Sequence, residues 1–349
     1  MTLADAERAT LLETIETQRF GCEMAGSPLY ADVLGVVAKD VRNGGPIGRL
    51  LEPVAAAPFG DAVLLRLLAG LHLLVLEGRA PDLAAHFPSA GGEPGRRLAR
   101  DVVATVEAHA DELAVRLTQG VQTNEVGRSA ALLGGYLEIA RQGLPLRVLE
   151  VGASAGLNLA FDRYRYVSRD QAFGPVDSPL RFDRPWFIDA PDLAIPMEVA
   201  ERRGCDVAPI RVDTEAGRQR LRSFVWPDQL DRLARLDGAL AAIQGDAPVV
   251  DEATAPEWLA GQLAVERPGI CTVVAHSIMF QYLSVAARAE MVSLIESAGE
   301  RATAAAPVAW LRLEPGGDQA ELRLTSWPGN ESRVLATSSY HGPPVVWRG

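Results

Sequence analysis

Cysteine is scarce in this chain, and the three that occur, Cys22, Cys205 and Cys271, form no CxxC pair. That spacing offers neither a disulfide framework nor a zinc site, and it suits a reducing compartment. The thiols read as small apolar core residues. Positive charge is also short: 34 Lys and Arg stand against 45 Asp and Glu, a formal net charge of −11. No basic surplus is left to neutralise phosphates, which disfavours a nucleic-acid partner. No grouping of His, Cys, Asp and Glu has metal-ligand spacing, so no metal is expected. Long apolar runs are missing as well. The most apolar stretch, Ala62 to Leu76, carries Arg66 and His72 and is too short to span a bilayer. The opening MTLADAERATLLETIETQRF mixes charges with apolar residues and has no signal-peptide core. The expectation is a cytoplasmic protein with a small-molecule substrate and no membrane partner.

What is present is ordinary globular material, 349 residues at 48% hydrophobic and 23% charged, enough for two domains. The first part, 1–120, reads as helical throughout. Asp61 is placed to cap a helix with Leu64, Leu65, Leu68, Leu71 and Val75 on one face, ending at Gly78. After the turn-rich Ser89 to Gly95, a second helix carries Leu98, Val102, Val106, Ala110, Leu113 and Leu117. Val33 to Val37 is ambiguous. Tyr30, His72 and His86 are the residues of this part that could face a substrate, although singly each is more often packed.

From residue 121 the pattern changes. Thr123 and Asn124 suit the cap of a helix over Glu125 to Gln142. Strand candidates follow at Leu146 to Val151, Met197 to Ala200, Val249 to Val250, Thr272 to Ala275, Val308 to Leu313, Glu321 to Thr325 and Arg333 to Ala336. Helical stretches lie between them at Gln229 to Ile243, Pro256 to Leu263 and Val285 to Ala298. This alternation predicts an α/β domain over 121–349 with a mostly parallel sheet and an antiparallel edge, behind an all-helical N-terminal domain that caps or completes its site. Tyr164 to Pro196, rich in proline and aromatics, interrupts it as an insertion, either a lid or an irregular segment packed on the core.

The most informative stretch is LRVLEVGASAGLNLAFDRY, read as strand, small-residue turn, then helix. Gly152 and Gly156 let the backbone turn sharply and approach a ligand, and a following helix would present N–H groups to an anion. Two readings compete. An acid followed by a glycine turn, Glu150 then Gly152-Ala153-Ser154-Ala155-Gly156, resembles the first motif of class I methyltransferases, with Ser154 in place of the middle glycine. The same residues spell the G-x-S-x-G elbow of serine esterases, with Ser154 as nucleophile and His276 or His341 as base. Position separates them. Helical sequence precedes the turn, no His-Gly-Gly-Gly stretch occurs before Ser154, and at least five strand candidates follow. That order favours the cofactor turn.

The stretches TNEVGRSAALL, the turn with DRYRY, ERRGCDVAPI, VWPDQ, HSIMFQYL and WLRLEP resemble a bacterial family of unassigned function with a methyltransferase-like, Rossmann-type core. The likeness implies S-adenosylmethionine as cofactor, and methyl transfer to a small-molecule oxygen or nitrogen. It implies cofactor contacts from Glu150, Gly152, Ala153, Ser154, Gly156 and Asn158. Either Asp206 or Glu198 would bind the ribose hydroxyls. Asp251 would reach the adenine, with Thr254 in the place where the acid is expected relative to Trp258. Arg128 either pairs with the methionine carboxylate or joins a capping box and surface ion pair with Asn124, Glu125 and Ser129. His276, at a strand end, is either a general base or a neutral histidine satisfied by the backbone. Gln281 and Tyr282 open the next helix and line the same mouth, with Tyr282 the second catalytic candidate. A non-catalytic cofactor-fold binding protein is the further alternative.

Overall fold

The computed structural model describes residues 5–54, 62–183 and 186–349. Asp61, expected to cap a helix, lies outside the described residues. The chain divides into two compact units, 1–123 with 214–234, and 124–213 with 235–349.

The first unit is helical over its described residues. Its core is built from Leu29, Leu34, Val37, Leu67, Leu71, Phe87, Val102 and Leu113 among others. Helix Pro28–Arg42 starts where it does because Pro28 occupies its first turn and the Ser27 hydroxyl caps it, accepting from the Tyr30 N–H while donating to Asp228 Oδ1 at 2.6 Å. The ambiguous Val33 to Val37 lies inside this helix, where its valines are core residues. Helix Val63–Leu76 is buried along nearly its whole length, as its almost unbroken apolar sequence requires. The helix expected from Leu98 to Leu117 is two helices, Leu98–Ala108 and Ala110–Leu117, broken at His109. Tyr30, His72 and His86 are all buried. Tyr30 donates to the Leu68 carbonyl, His72 contacts the Ser89 hydroxyl and the Ser223 carbonyl, and His86 contacts Asp101. They are core residues rather than substrate contacts.

Among its described residues the second unit carries twelve strands: β1 (Leu146–Val151), β2 (Arg165–Val167), β3 (Ala172–Phe173), β4 (Arg181–Phe182), β5 (Phe187–Asp189), β6 (Val199–Asp206), β7 (Val249–Glu252), β8 (Cys271–Ser277), β9 (Val308–Pro315), β10 (Ala320–Trp327), β11 (Glu331–Ser339) and β12 (Gly342–Trp347). Among the described residues nine of them form one sheet in the order β5-β12-β11-β10-β9-β8-β1-β6-β7. From β9 through β8, β1 and β6 to β7 every neighbour is parallel, and β9 to β12 run antiparallel. This is a mixed α/β architecture with a mostly parallel sheet. The all-buried β1 fits a central strand covered on both faces.

One face of the sheet packs Leu149, Val151, Cys205, Val274 and Trp310 with Trp258, Met291 and Ile295, from helices Ala255–Gln262 and Val285–Arg301. Helix Ser129–Ala140 packs on β9 to β12, where Gly134 lies against Trp347 and Gly135 against Leu311. The insertion forms a small sheet, β3-β2-β4, in which Tyr166 stacks on Phe182. All three cysteines are buried and free. Among the described residues no helix is long and apolar enough to cross a membrane, and no group of three or more His, Cys, Asp or Glu could hold a metal.

Candidate functional site

From β1 the chain moves outward to β6 and β7 on one side, then returns to place β8 and β9 on the other. The order reverses between β1 and β8. Open parallel sheets bind ligands beyond the carboxyl ends of their strands at such a point. There lie the turn after β1, Asp206 ending β6, Ser277 ending β8 and Glu314 near the end of β9.

The turn is held from three directions. Gly152 and Ala153 donate to the Cys205 carbonyl, Ser154 donates to Asp206 Oδ2 at 2.9 Å, and the Asn124 side-chain oxygen accepts from Ala155 and Leu157 at 3.3 and 3.0 Å. Gly156 donates to the Ala153 carbonyl. Each backbone N–H from Gly152 to Leu157 thus has a partner inside the protein. Gly152 is required twice: its φ is 69°, and a Cβ would come within 3.0 Å of the Met279 side chain. The chain then enters a short 3₁₀ segment, Asn158–Arg163, in place of the expected α-helix. With no α-helix and the turn's N–H groups already engaged, an anion finds no helix-terminus site here. Asn158 accepts from the Ser129 hydroxyl at 2.7 Å, tying the turn to helix Ser129–Ala140.

Asn124 does not cap that helix. It clamps the turn, while Glu125 caps the preceding 3₁₀ turn Val126–Arg128 by accepting from the Gly127 N–H. Gly127 and Gly342 allow two backbones to cross here, since a Cβ on Gly127 would lie 2.2 Å from the His341 carbonyl. The crossing brings His341 Nδ1 to 3.6 Å from Glu125 Oε2. Arg128, buried, donates Nε to the Tyr340 carbonyl at 3.0 Å and Nη1 to the Ser277 carbonyl at 3.2 Å. Its guanidinium therefore stitches the β11–β12 connection to the end of β8.

Glu150 is the unusual group. It is 3% exposed, and its Oε2 has no hydrogen-bond partner. Burial pushes its carboxyl up to about 8; the Asp206 charge adds to the rise and Arg128 opposes it. Leaving such an acceptor unsatisfied costs about 1–3 kcal/mol.

Other candidates are placed apart from the turn. Glu198 precedes β6, at the wrong end of the strand for a ligand, whereas Asp206 ends it beside the turn. Asp251 lies within the edge strand β7, its carboxylate clamped by Arg203 at 2.6 and 2.8 Å and by the Trp258 indole at 2.7 Å. The Arg203 bonds hold it below the ordinary carboxylate value. Thr254 precedes helix Ala255–Gln262 and donates its hydroxyl to Glu257. Gln281 and Tyr282 fall in a 3₁₀ turn, Phe280–Tyr282, rather than an α-helix, and Tyr282 is 70% exposed.

His276 is fully enclosed, with both ring nitrogens engaged. Trp310 donates its indole N–H to Nε2 at 3.0 Å, and Nδ1 lies 2.6 Å from Glu314 Oε1. Because an indole N–H only donates, Nε2 carries the lone pair and Nδ1 the proton. In this arrangement neither nitrogen can take a proton from a substrate. Glu314 Oε1 also accepts from the N–H groups of Met279 and Phe280, at 3.2 and 3.4 Å. Between His276 and Met279 the chain passes through Ile278 at φ 50°, a left-handed conformation that a β-branched residue rarely adopts. Glu314, Met279 and the clamp role of Asn124 were not foreseen. The available signal was that WLRLEP places an acid at the carboxyl end of a buried strand.

Two groups that an esterase arrangement would use are engaged within the protein. The amide of Ala155, the residue after Ser154 that would serve an oxyanion, is given to Asn124. His276 is closed on both nitrogens.

The family described as an uncharacterized protein conserved in bacteria (DUF2332) matches residues 13–347. The chain belongs to that family. No curated protein and no solved structure matches it.

Proposed function

We propose that this member of the family transfers a methyl group from S-adenosylmethionine to a small-molecule oxygen or nitrogen. The observation that carries this reading is Glu150, a buried carboxyl with an unpartnered oxygen beside the turn at the sheet's reversal point. The strand order β7-β6-β1-β8-β9, with the glycine turn on the first strand in sequence, supports a methyltransferase-like, Rossmann-type core.

The residues fit the cofactor. Glu150 offers an unused acceptor for an ammonium group, and Asp206, at the end of the neighbouring strand, stands where ribose hydroxyls would be held. Gly152 and Ala153 add no large side chain of their own to the turn, and Arg128 brings positive charge beside Glu150 for a carboxylate. When bound, the cofactor supplies an electrophilic methyl group on a sulfonium, so the protein's work is placement.

Each residue does a part of that placement. Asn124, Asp206 and the Cys205 carbonyl fix the turn before any ligand arrives, which lowers the entropy lost on binding. Glu150, protonated near neutral pH, gives up its proton when a cation docks against it. His276 and Glu314 hold the 278–280 segment next to Gly152 and act as positioning residues.

Differential scanning fluorimetry with S-adenosylmethionine and S-adenosylhomocysteine tests the reading. A saturable rise in melting temperature with both, weakened by Asp206→Ala, is expected. A flat response from folded protein to either compound would overturn it.

A further inference from the structure

Glu314 is held by one oxygen and empty on the other. Oε1 gathers three donors, His276 Nδ1–H and the N–H groups of Met279 and Phe280, whereas Oε2 is buried with no hydrogen-bond partner. The three donors are all neutral. The Trp310 N–H on Nε2 fixes His276 as uncharged imidazole, and the other two donors are amides. The Arg312 guanidinium lies over the Trp310 ring at 3.9 Å and acts on Glu314 through space rather than by a hydrogen bond. The carboxylate is therefore rigid, desolvated on one oxygen, and without a cation in contact. Next to it stands the left-handed Ile278, and such strain concentrates at ligand sites.

We infer that Glu314 Oε2 receives a cationic N–H donor, so that the small-molecule acceptor is an amine. The inference rests on the methyl-transfer reading for what happens to that amine: an ammonium has no lone pair, so to accept a methyl group it would first give one N–H proton to Glu314 Oε2, freeing the pair that forms the N–C bond, while the electrons of the broken S–C bond would stay on sulfur. The binding preference is assigned to Glu314 by the loss of amine binding in Glu314→Gln and its persistence in Glu150→Gln, since Glu150 Oε2 is the other unpartnered carboxyl oxygen near the turn. An ammonium group satisfies the empty acceptor and its charge together. A carboxylate ligand would meet like charge, and a neutral hydroxyl would satisfy only the hydrogen bond.

The test uses the full chain and two probes of similar size, n-butylammonium and butyrate, titrated by ligand-observed NMR at constant ionic strength. Saturable binding of n-butylammonium but not butyrate is expected, weakened at least about tenfold in Glu314→Gln. Butyrate binding as well as the amine, or an amine affinity unchanged in Glu314→Gln, would overturn the inference. If Glu314→Gln fails to fold, Glu150→Gln decides: amine binding kept in that variant supports the site at Glu314, and amine binding lost there overturns it. Neither probe involves the cofactor, so failure here is distinct from failure of S-adenosylhomocysteine to bind.

Discussion

Ser154 gives its backbone N–H to the carboxylate of Asp206, 2.9 Å away, and so couples the turn after β1 to the end of β6 across 52 residues of sequence. The second Asp206 oxygen accepts from Ala208 at 3.0 Å, which anchors the same carboxylate to its own loop. Replacing Asp206 with Ala strands the buried Ser154 amide. Stability should fall by about 1–3 kcal/mol, read from urea unfolding. Asp206→Asn keeps an acceptor oxygen and should lose less. Equal losses in the two variants would show that the bond to Ser154 matters little.

Glu150 should leave a mark on the pH dependence of stability. Its ordinary value near 4.5 rises to about 8 in the fold, so between those values the folded chain holds a proton that the unfolded chain has lost. Stability contributed by the protonated form is present below the unfolded value and is lost as pH climbs toward 8, by up to about 1.4 kcal/mol per pH unit. Glu150→Gln should flatten that part of the profile. A parallel profile in the variant would assign the slope to other groups.

His72 acts in the opposite direction within the helical unit. Burial lowers its value from 6.5 to about 4, against the pull of backbone carbonyls. The unfolded chain therefore takes up the proton first, and stability falls as pH drops from 6.5 toward 4. His72→Gln should reduce this acid loss, measured by urea midpoints at pH 7 and pH 4.5. An unchanged difference would place the acid sensitivity elsewhere.

Ser154 should be inert to a fluorophosphonate probe. No labelling is expected from the intact protein, because the amide needed for the oxyanion is bound to Asn124 and His276 is closed. Labelling that disappears in Ser154→Ala, seen by intact mass, would restore the esterase mechanism.

The sheet was legible where strands were apolar and continuous. LRVLEV, CTVVAHS and VAWLRLEP announce buried strands, and the pattern found each core, though not each end. β12 was hidden because GPPVVW contains two prolines that cannot donate to a ladder. The structure accommodates them with a register shift, pairing Ser339 with Gly342 and Thr337 with Val346. Tertiary contact, not local pattern, also decided what followed the glycine turn. Tyr164 donates to the Leu157 carbonyl at 2.6 Å, and Phe161 stacks on Tyr136 in a tight 3₁₀ segment. At the site, the acid before the turn and the acid ending β6 could be read from sequence. Asn124 was visible only as a cap residue and Glu314 only as an acid closing a buried strand; their partners, about thirty or more residues away, could not be read. Nor could local sequence show that Trp310 and Glu314 would close both nitrogens of His276.

The most direct measurement is calorimetric titration of S-adenosylhomocysteine at pH 7 in two buffers of different ionisation heat. Its ammonium group, docking against Glu150, should bind at one site and drive off up to about one proton per molecule, and Glu150→Gln should abolish the buffer dependence. Absence of binding heat in both buffers with folded protein, or the same proton release from Glu150→Gln, would contradict the assignment of this turn and its buried acid to the cofactor.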